Sequence, residues 1–432
     1  MSLHGWGNYP VIKNKVIEYD NNRQIKSIIN SSSCIIAHGN GRSYGDSAIN
    51  DTIIHIRPHN YFISFDYERG LLHVQAGVLL SEIVECFVPK GWFLKVTPGT
   101  KFITIGGAIA SDVHGKNHHI AGCFSDHLNE FEIMIASGEI INCSKNNHPE
   151  LFKATCGGMG LTGIILSAKI YLKSINSQFI DQKTIKNDNL KATFDAFEKY
   201  QNVPYSVAWI DCLSKGNRLG RSLLMIGDFI DDGRLDYKTE SKINIPFNMP
   251  PMTLSRWNVR LFNELYYSKA KNQSTKKIVK IDKFFYPLDV IDNWNRIYGK
   301  GGFVQYQFVL PKKSSYEGLK EILKIIADSG QGSFLAVLKL HGKSNSNYLS
   351  FPIEGYSLAL DFKMGKGTLK LLSKLDNIIL KYNGRIYLTK DSRVTKEVFE
   401  QGYPQVEIFR QYRKDNGMDK VFQSYQSQRV GI

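Results

Sequence analysis

Residues 97–119 read TPGTKFITIGGAIASDVHGKNHH. Gly99, Gly106, Gly107, Ala108 and Ala110 are followed at once by His114, Lys116, His118 and His119. Small residues let backbone N–H groups approach a large ligand and curl around an anion, and imidazoles titrate near neutral pH. The pattern suits a cofactor with a phosphate bridge and a redox ring, although Pro98-Gly99 alone also fits an ordinary turn.

A second glycine cluster lies upstream, AHGNGRSYGDS at residues 37–47, after the strand-like Cys34-Ile35-Ile36. Gly39 and Gly41 permit consecutive N–H groups to wrap a phosphate, and Ser43 adds a hydroxyl. No G-K-[ST] follows and the spacing is not G-x-G-x-x-G, so neither a P-loop nor a Rossmann fingerprint is present. By itself this cluster also reads as a plain loop.

The chain has 432 residues, 42% of them hydrophobic, enough for a large core and two or at most three domains. Its 55 Lys and Arg against 40 Asp and Glu give a formal charge of +15, which favours an anionic partner. The basic residues are scattered, which argues against nucleic acid. No run of about 18 apolar residues occurs, so a spanning helix is not expected. The start, MSLHGWGNYPVIKNK, lacks a secretory apolar core, and a cytoplasmic location is expected. Cys34, Cys86, Cys123, Cys143, Cys156 and Cys212 include no C-x-x-C pair and read as reduced, mostly buried side chains, with no metal site.

Along the chain, residues 70–77 read as a strand and 79–87 as a helix with Ser81 as a plausible cap. Residues 131–143 read as two strands joined at Ser137-Gly138. A short helix begins at Pro149 and ends at Gly157-Gly158, before a strand in GLTGIILSAKIYL. Residues 176–195 are polar and weakly patterned and are placed at a domain boundary. Residues 231–251 read as an irregular, mobile loop suited to a lid. Residues 303–310, 334–340, 356–362 and 385–388 read as strands, and 316–327 and 369–382 as helices with one apolar stripe each. The order β-α-β-β-α-β describes a ferredoxin-like unit, an antiparallel sheet with helices on one face. Its other face would roof a cleft. The reading is α+β, with a cofactor domain at 1–175, a substrate or cap domain at 176–388 and a segment at 389–432 that packs back on the first.

Two glycine clusters about 60 residues apart, with the Gly157-Gly158-Met159-Gly160 turn, resemble the PCMH-type FAD-binding domain of the vanillyl-alcohol oxidase superfamily. More narrowly, HGNGRSYGDSA, TPGT, TIGGAIASDVHGKNHH, CGGMGLTGII, FFYPLD, WNRIYG, GFVQYQFVLP and YLTKDSR, in this order, are similar to the FAD-dependent decaprenylphosphoryl-ribose oxidases of arabinan precursor synthesis. The resemblance runs nearly end to end. It implies a flavoenzyme that oxidises a secondary alcohol of a sugar, the first half of a 2-epimerisation.

The resemblance also distributes roles. Cofactor contacts fall on Ala37, His38, Gly39, Asn40, Gly41, Arg42, Ser43, Tyr44, Gly45, Asp46 and Ser47, then on Gly99, Thr104, Ile105, Gly106, Gly107, Ser111, Asp112, Val113 and His114, and on Ile164 and Tyr387. Where the superfamily often tethers its flavin through histidine, this chain has Arg42, so noncovalent FAD is implied. His114, Lys116 and Lys390 are the candidates for proton transfer, with Asp391 restraining Lys390. Tyr44, Gln305, Gln307, Lys339 and Lys390 are candidates for substrate binding. Gln305 and Gln307 share a strand face, facing the cleft or bonded to each other. An inward Lys339 requires an anion, which a substrate phosphate supplies. Ala359 stands where actinobacterial relatives carry cysteine, so thiol reagents aimed there have no target.

The implied substrate is a polyprenyl-phosphate-linked pentose, with an NAD(P)-dependent short-chain reductase completing the epimerisation. A lipid-linked substrate implies peripheral membrane contact. An alditol or aldonolactone oxidase acting on a free polyol stays open, and a non-enzymatic basic binding protein is the distant alternative.

Overall fold

A computed structural model of the chain describes residues 3–31, 34–239 and 243–432. In the strand Phe303–Pro311, Val304, Tyr306, Phe308 and Leu310 turn to one side, and Phe303, Gln305, Gln307 and Val309 to the other. The first set packs on Leu319, Leu323, Leu375 and Ile379 of the helices Ser315–Ser329 and Thr368–Lys381. Strands Ala336–His341, Gly355–Lys363, Phe303–Pro311 and Arg385–Ile386 lie side by side in that order, all antiparallel. This is the β-α-β-β-α-β unit read from the sequence, and its second face is left to the site.

The same strand order occurs a second time. Strands Ser274–Lys280, Phe179–Asn187, Ser222–Phe229 and Tyr205–Ile210 pair in that sequence, and Tyr205–Ile210 joins Ala336–His341 to complete an eight-stranded sheet. Here the helices divide between the faces. Leu190–Lys199 puts Phe197 in the core with Ala208, whereas Tyr266 of Arg256–Ser268 meets Trp209 across the sheet at 4.8 Å.

The polar stretch assigned to a boundary, residues 176–195, is therefore a strand and the start of a helix. Lys183 and Lys186 of that strand reach Tyr200 Oη and the Ala270 carbonyl, so long polar side chains cover a partly exposed face and hide the period-two signal. Asn189 caps the helix by accepting from Ala192 N at 3.0 Å.

The N-terminal unit holds the parallel sheet Lys15–Ile17, Thr52–His55, Ile35–His38 and an antiparallel sheet centred on Ile164–Ser174. The helix near residue 80 spans Leu80–Phe87, and Ser81 lies inside it. Glu82 supplies the cap, accepting from Leu79 N at 2.8 Å.

Residues 403–432 close against both parts. Ile35 N donates to Val421 O at 2.8 Å, Tyr403 Oη donates to Ile386 O at 2.8 Å, and Arg429 pairs with Asp46 and Asp391 at 2.7 and 2.9 Å. Within 231–251, Ile243–Asn244 pairs with Ile291–Asp292, and residues 240–242 lie outside the described residues. No described helix is long and apolar enough to cross a membrane. All six cysteines are free, with Cys34 and Cys86 exposed.

Candidate active site

The two glycine segments meet. A Cβ on Gly39 would collide with Thr104 Oγ1, so the absent side chain is what lets the first loop lie on the second. Asn40 fixes the contact, its Nδ2 donating to Phe102 O at 2.7 Å. Among the described residues, the backbone N–H groups of Gly39, Asn40, Gly41, Arg42 and Ser43 donate to no backbone carbonyl. Gly41 has φ of 60°, a conformation that costs glycine little. The loop edges a cleft of about 400 Å³ lined by Trp6, His38, Arg42, Asn293 and Arg296 among others.

Arg42 lies 3.9 Å over the Trp6 ring, and its buried Nε has no partner. Burial lowers its pKa, opposed chiefly by Asp289, whose own carboxyl burial pushes up to about 6. A planar cation over a ring, with one donor open, suits a phosphate or an electron-rich ring.

Further along, Thr104 caps the short helix Ile105–Ala110 by accepting from Gly107 N at 3.1 Å. Ile105 and Ile164 are fully buried, and Gly106 packs on Ala76. Gly99 faces open space. Asp112 is buried and accepts from Ser350, Asn345 and Asn347, while Tyr387 Oη donates to Ser111 O at 3.1 Å. These bonds tie the segment to the sheet domain.

Not every candidate side chain faces the cradle. Asp46 is engaged by Arg429, and His38 Nδ1 lies 2.8 Å from Ala48 O. Ala37 is in the strand Ile35–His38, and Ser47 is buried.

The proton-transfer candidates converge on the open sheet face. His114 Nε2 lies 3.1 Å from Gln307 Nε2, and Gln307 also donates to Ser357 Oγ at 3.3 Å. An amide N–H is only a donor, so Nε2 accepts and the proton sits on Nδ1, which is buried without a partner. Burial, then Lys339, His118 and Lys390, hold the His114 pKa well below its usual value, and the ring is neutral. Gln305 bonds outward too, Nε2 donating to Asp361 Oδ1 at 2.6 Å. The two glutamines share a face but do not pair with each other.

Three lysines stand around these groups. Lys390 Nζ is 3.8 Å from the Tyr44 ring centroid, and its pKa is pushed down to about 7 by burial, with Asp361 opposing and Lys339 adding. Lys116 donates to Phe284 O and is brought to about 7 by burial and by Lys339. Lys339 is lowered to about 8 by burial, and no described carboxylate acts on it in return. The Val113 and Ser43 positions, beside His114 and Tyr44, complete the two segments.

Asp391 does not restrain Lys390. Its carboxylate accepts from Arg393 N, Val394 N and Arg429, and the acid that faces Lys390 is Asp361, whose pKa burial raises to about 7. Asp361 is absent from the sequence-derived set. Its signal is a lone acid in the apolar strand SLALDF, in register with Gln305. His341 was also missed: its ring lies 4.8 Å from His114 and 4.7 Å from His118, with both nitrogens buried and unpartnered.

Comparison with known proteins agrees with this geometry. Residues 15–144 match the FAD binding domain family. The chain is 36% identical over 412 residues to a decaprenylphosphoryl-beta-D-ribose oxidase of Mycolicibacterium smegmatis, covering 92% of this chain and 89% of that protein. An uncharacterized protein in the mprA 5' region of Streptomyces coelicolor is 28% identical over 82% of this chain and all of its own length. L-gulonolactone oxidase of Bos taurus matches 38% of this chain at 28% identity. End-to-end similarity of this kind, with an FAD-binding domain whose cradle is present, places the chain in the FAD-dependent decaprenylphosphoryl-ribose oxidase family.

Proposed function

We propose that the protein oxidises a secondary hydroxyl of a pentose carried on a polyprenyl phosphate. The observation that carries this reading is Lys339, a lysine at the open sheet face with no described counter-charge, flanked by Lys116 and Lys390. Lys339, with Lys116 and Lys390 near it and one carboxylic acid among them, favours an anionic group, and the phosphodiester of a polyprenyl-linked sugar supplies one negative charge. A free polyol or a lactone supplies none, which is why the more distant lactone oxidases offer a weaker guide.

FAD, when bound, supplies a two-electron acceptor for the carbinol hydride. The Gly39 to Ser43 N–H groups, Arg42 and the Thr104 to Gly107 turn would hold it, noncovalently, since a guanidinium forms no flavin tether. His114 Nδ1–H, buried without a protein partner, would be free to donate to an acceptor on the cofactor or the sugar. Lys390, largely able to shed its proton near neutrality, takes the hydroxyl proton as the hydride leaves, so the alcohol becomes a ketone. Gln305 and Gln307 orient the sugar, and Tyr44 forms the floor beneath Lys390.

The ketone requires reduction to complete an inversion of the carbinol centre, so an NAD(P)-dependent reductase is the partner this chemistry needs. We divide the chain as residues 1–175 for the cofactor, 176–388 for the substrate and 389–432 as a closing segment. Lys339→Met tests the phosphate reading. KM for a phosphoryl-linked sugar rises at least about tenfold, the loss of one charge-assisted contact, with a smaller change in kcat. An unchanged KM would falsify it.

A further inference from the structure

The helix Arg256–Ser268 is turned inside out relative to a core helix. Val259, Asn263 and Tyr267 face inward, while Trp257, Leu261 and Leu265, at the same four-residue spacing, are 76%, 61% and 65% exposed. Met252, just before the helix, is 80% exposed. Soluble surfaces carry scattered apolar residues, but an aligned stripe with a tryptophan at one end marks a contact surface.

Its surroundings are basic. Residues 256–271 contain Arg256, Arg260, Lys269 and Lys271 against Glu264 alone, and that acid already pairs with Arg221. Apolar side chains beside arginines on a helix, with lysines directly after its end, form the pattern of an interfacial amphipathic helix.

The helix is also placed correctly for the site. Tyr266 lies against Trp209, and Trp209, Val337, Ala359 and Gln307 form one row of directly paired residues on the open sheet face. Three strand spacings, roughly 15 Å, separate Trp209 from Gln307. On a second line, Phe262, Phe334, Tyr298, Phe303 and Tyr44 are in ring contact in succession, ending beneath Lys390.

We propose that the exposed face of Arg256–Ser268 docks on an anionic lipid bilayer and sets the sheet face beside the membrane from which the substrate's phosphate is drawn. The inference rests on the lipid-linked substrate proposed above. Charge selects the occupant: a neutral protein groove would leave the basic rim unmatched, whereas anionic headgroups meet both the rim and the apolar stripe.

The test uses the full-length holoenzyme and sedimentation with vesicles of phosphatidylcholine alone or mixed with phosphatidylglycerol. The protein is expected to partition onto the mixed vesicles, to be released as salt screens the headgroups, and to leave the neutral ones free. The combined variant Trp257→Gln, Leu261→Gln, Leu265→Gln loses at least about tenfold in partition, as removal of three inserted side chains requires. It keeps its flavin and its turnover of a short-chain, water-soluble phosphoryl sugar. Equal binding of variant and wild type, equal binding to neutral vesicles, or a variant whose only change is the loss of a dimer overturns the docking. Failure to turn over the soluble sugar with intact vesicle binding overturns the substrate reading instead.

Discussion

Lys390 sits on the face of the Tyr44 ring, and Asp361 and Lys339 act on its charge in opposite directions. Its pKa of about 7, with Asp361 also near 7, makes the pair lose a proton as pH rises through neutrality. The base proposed for the reaction is the deprotonated Lys390 amine, so kcat/KM is expected to rise through about 7. The phosphate contact proposed for Lys339 needs the protonated amine, so the same parameter is expected to fall above about 8. A narrow bell in a pH profile of kcat/KM is the expected result, and Lys390→Met removes its acidic limb while cutting the rate about a hundredfold or more, the range for loss of a general base. FAD content, read from the visible spectrum, stays unchanged. The Gly39→Ala variant separates differently. Its Cβ meets Thr104 Oγ1 between the two cradle segments, so flavin retained after gel filtration drops sharply, with a stability loss of about 1–3 kcal/mol. Arg42 and Lys390 were picked out by the family motifs they sit in, and the two glutamines by a spacing of two that puts them on one strand face. Asp361 and His341 were not, because only pairing across strands shows what they face.

At the scale of elements, the ferredoxin-like unit after residue 300 was readable because two of its strands are buried on both faces and its helices carry clean apolar stripes. The preceding repetition of that strand order was hidden. Phe179–Asn187 lies next to an edge strand, and its lysines span the face they cover, so neither periodicity nor composition marks it. Among the ties of the closing segment, one is a cation between two buried acids. Arg429 is shared by Asp46 and Asp391, which are almost fully buried. Removing it as Arg429→Met leaves two buried carboxylates facing each other, and a loss of about 3–5 kcal/mol in denaturant unfolding is expected. A loss below about 1 kcal/mol, typical of exposed pairs, would show that the clamp is not what holds residues 403–432.

For the whole molecule, residues 97–119 join the two sheet systems: Gly39 lies against Thr104, and Lys116 O accepts from Ser206 N of the eight-stranded sheet. In the sequence the segment shows as glycine and alanine positions followed by three histidines and a lysine. The depth of the connection, through Asp112 and Tyr387 into the sheet domain, appears only in three dimensions. Noncovalent holding follows from Arg42, and acid precipitation is expected to release all the flavin to the supernatant, with yellow colour in the pellet contradicting it. The most direct measurement is anaerobic bleaching of the oxidised flavin. Polyprenyl-phosphate-linked ribose is predicted to bleach it, and xylitol and gulonolactone to leave it yellow. Bleaching by the free polyol or lactone, with the lipid-linked sugar inert, would contradict the account.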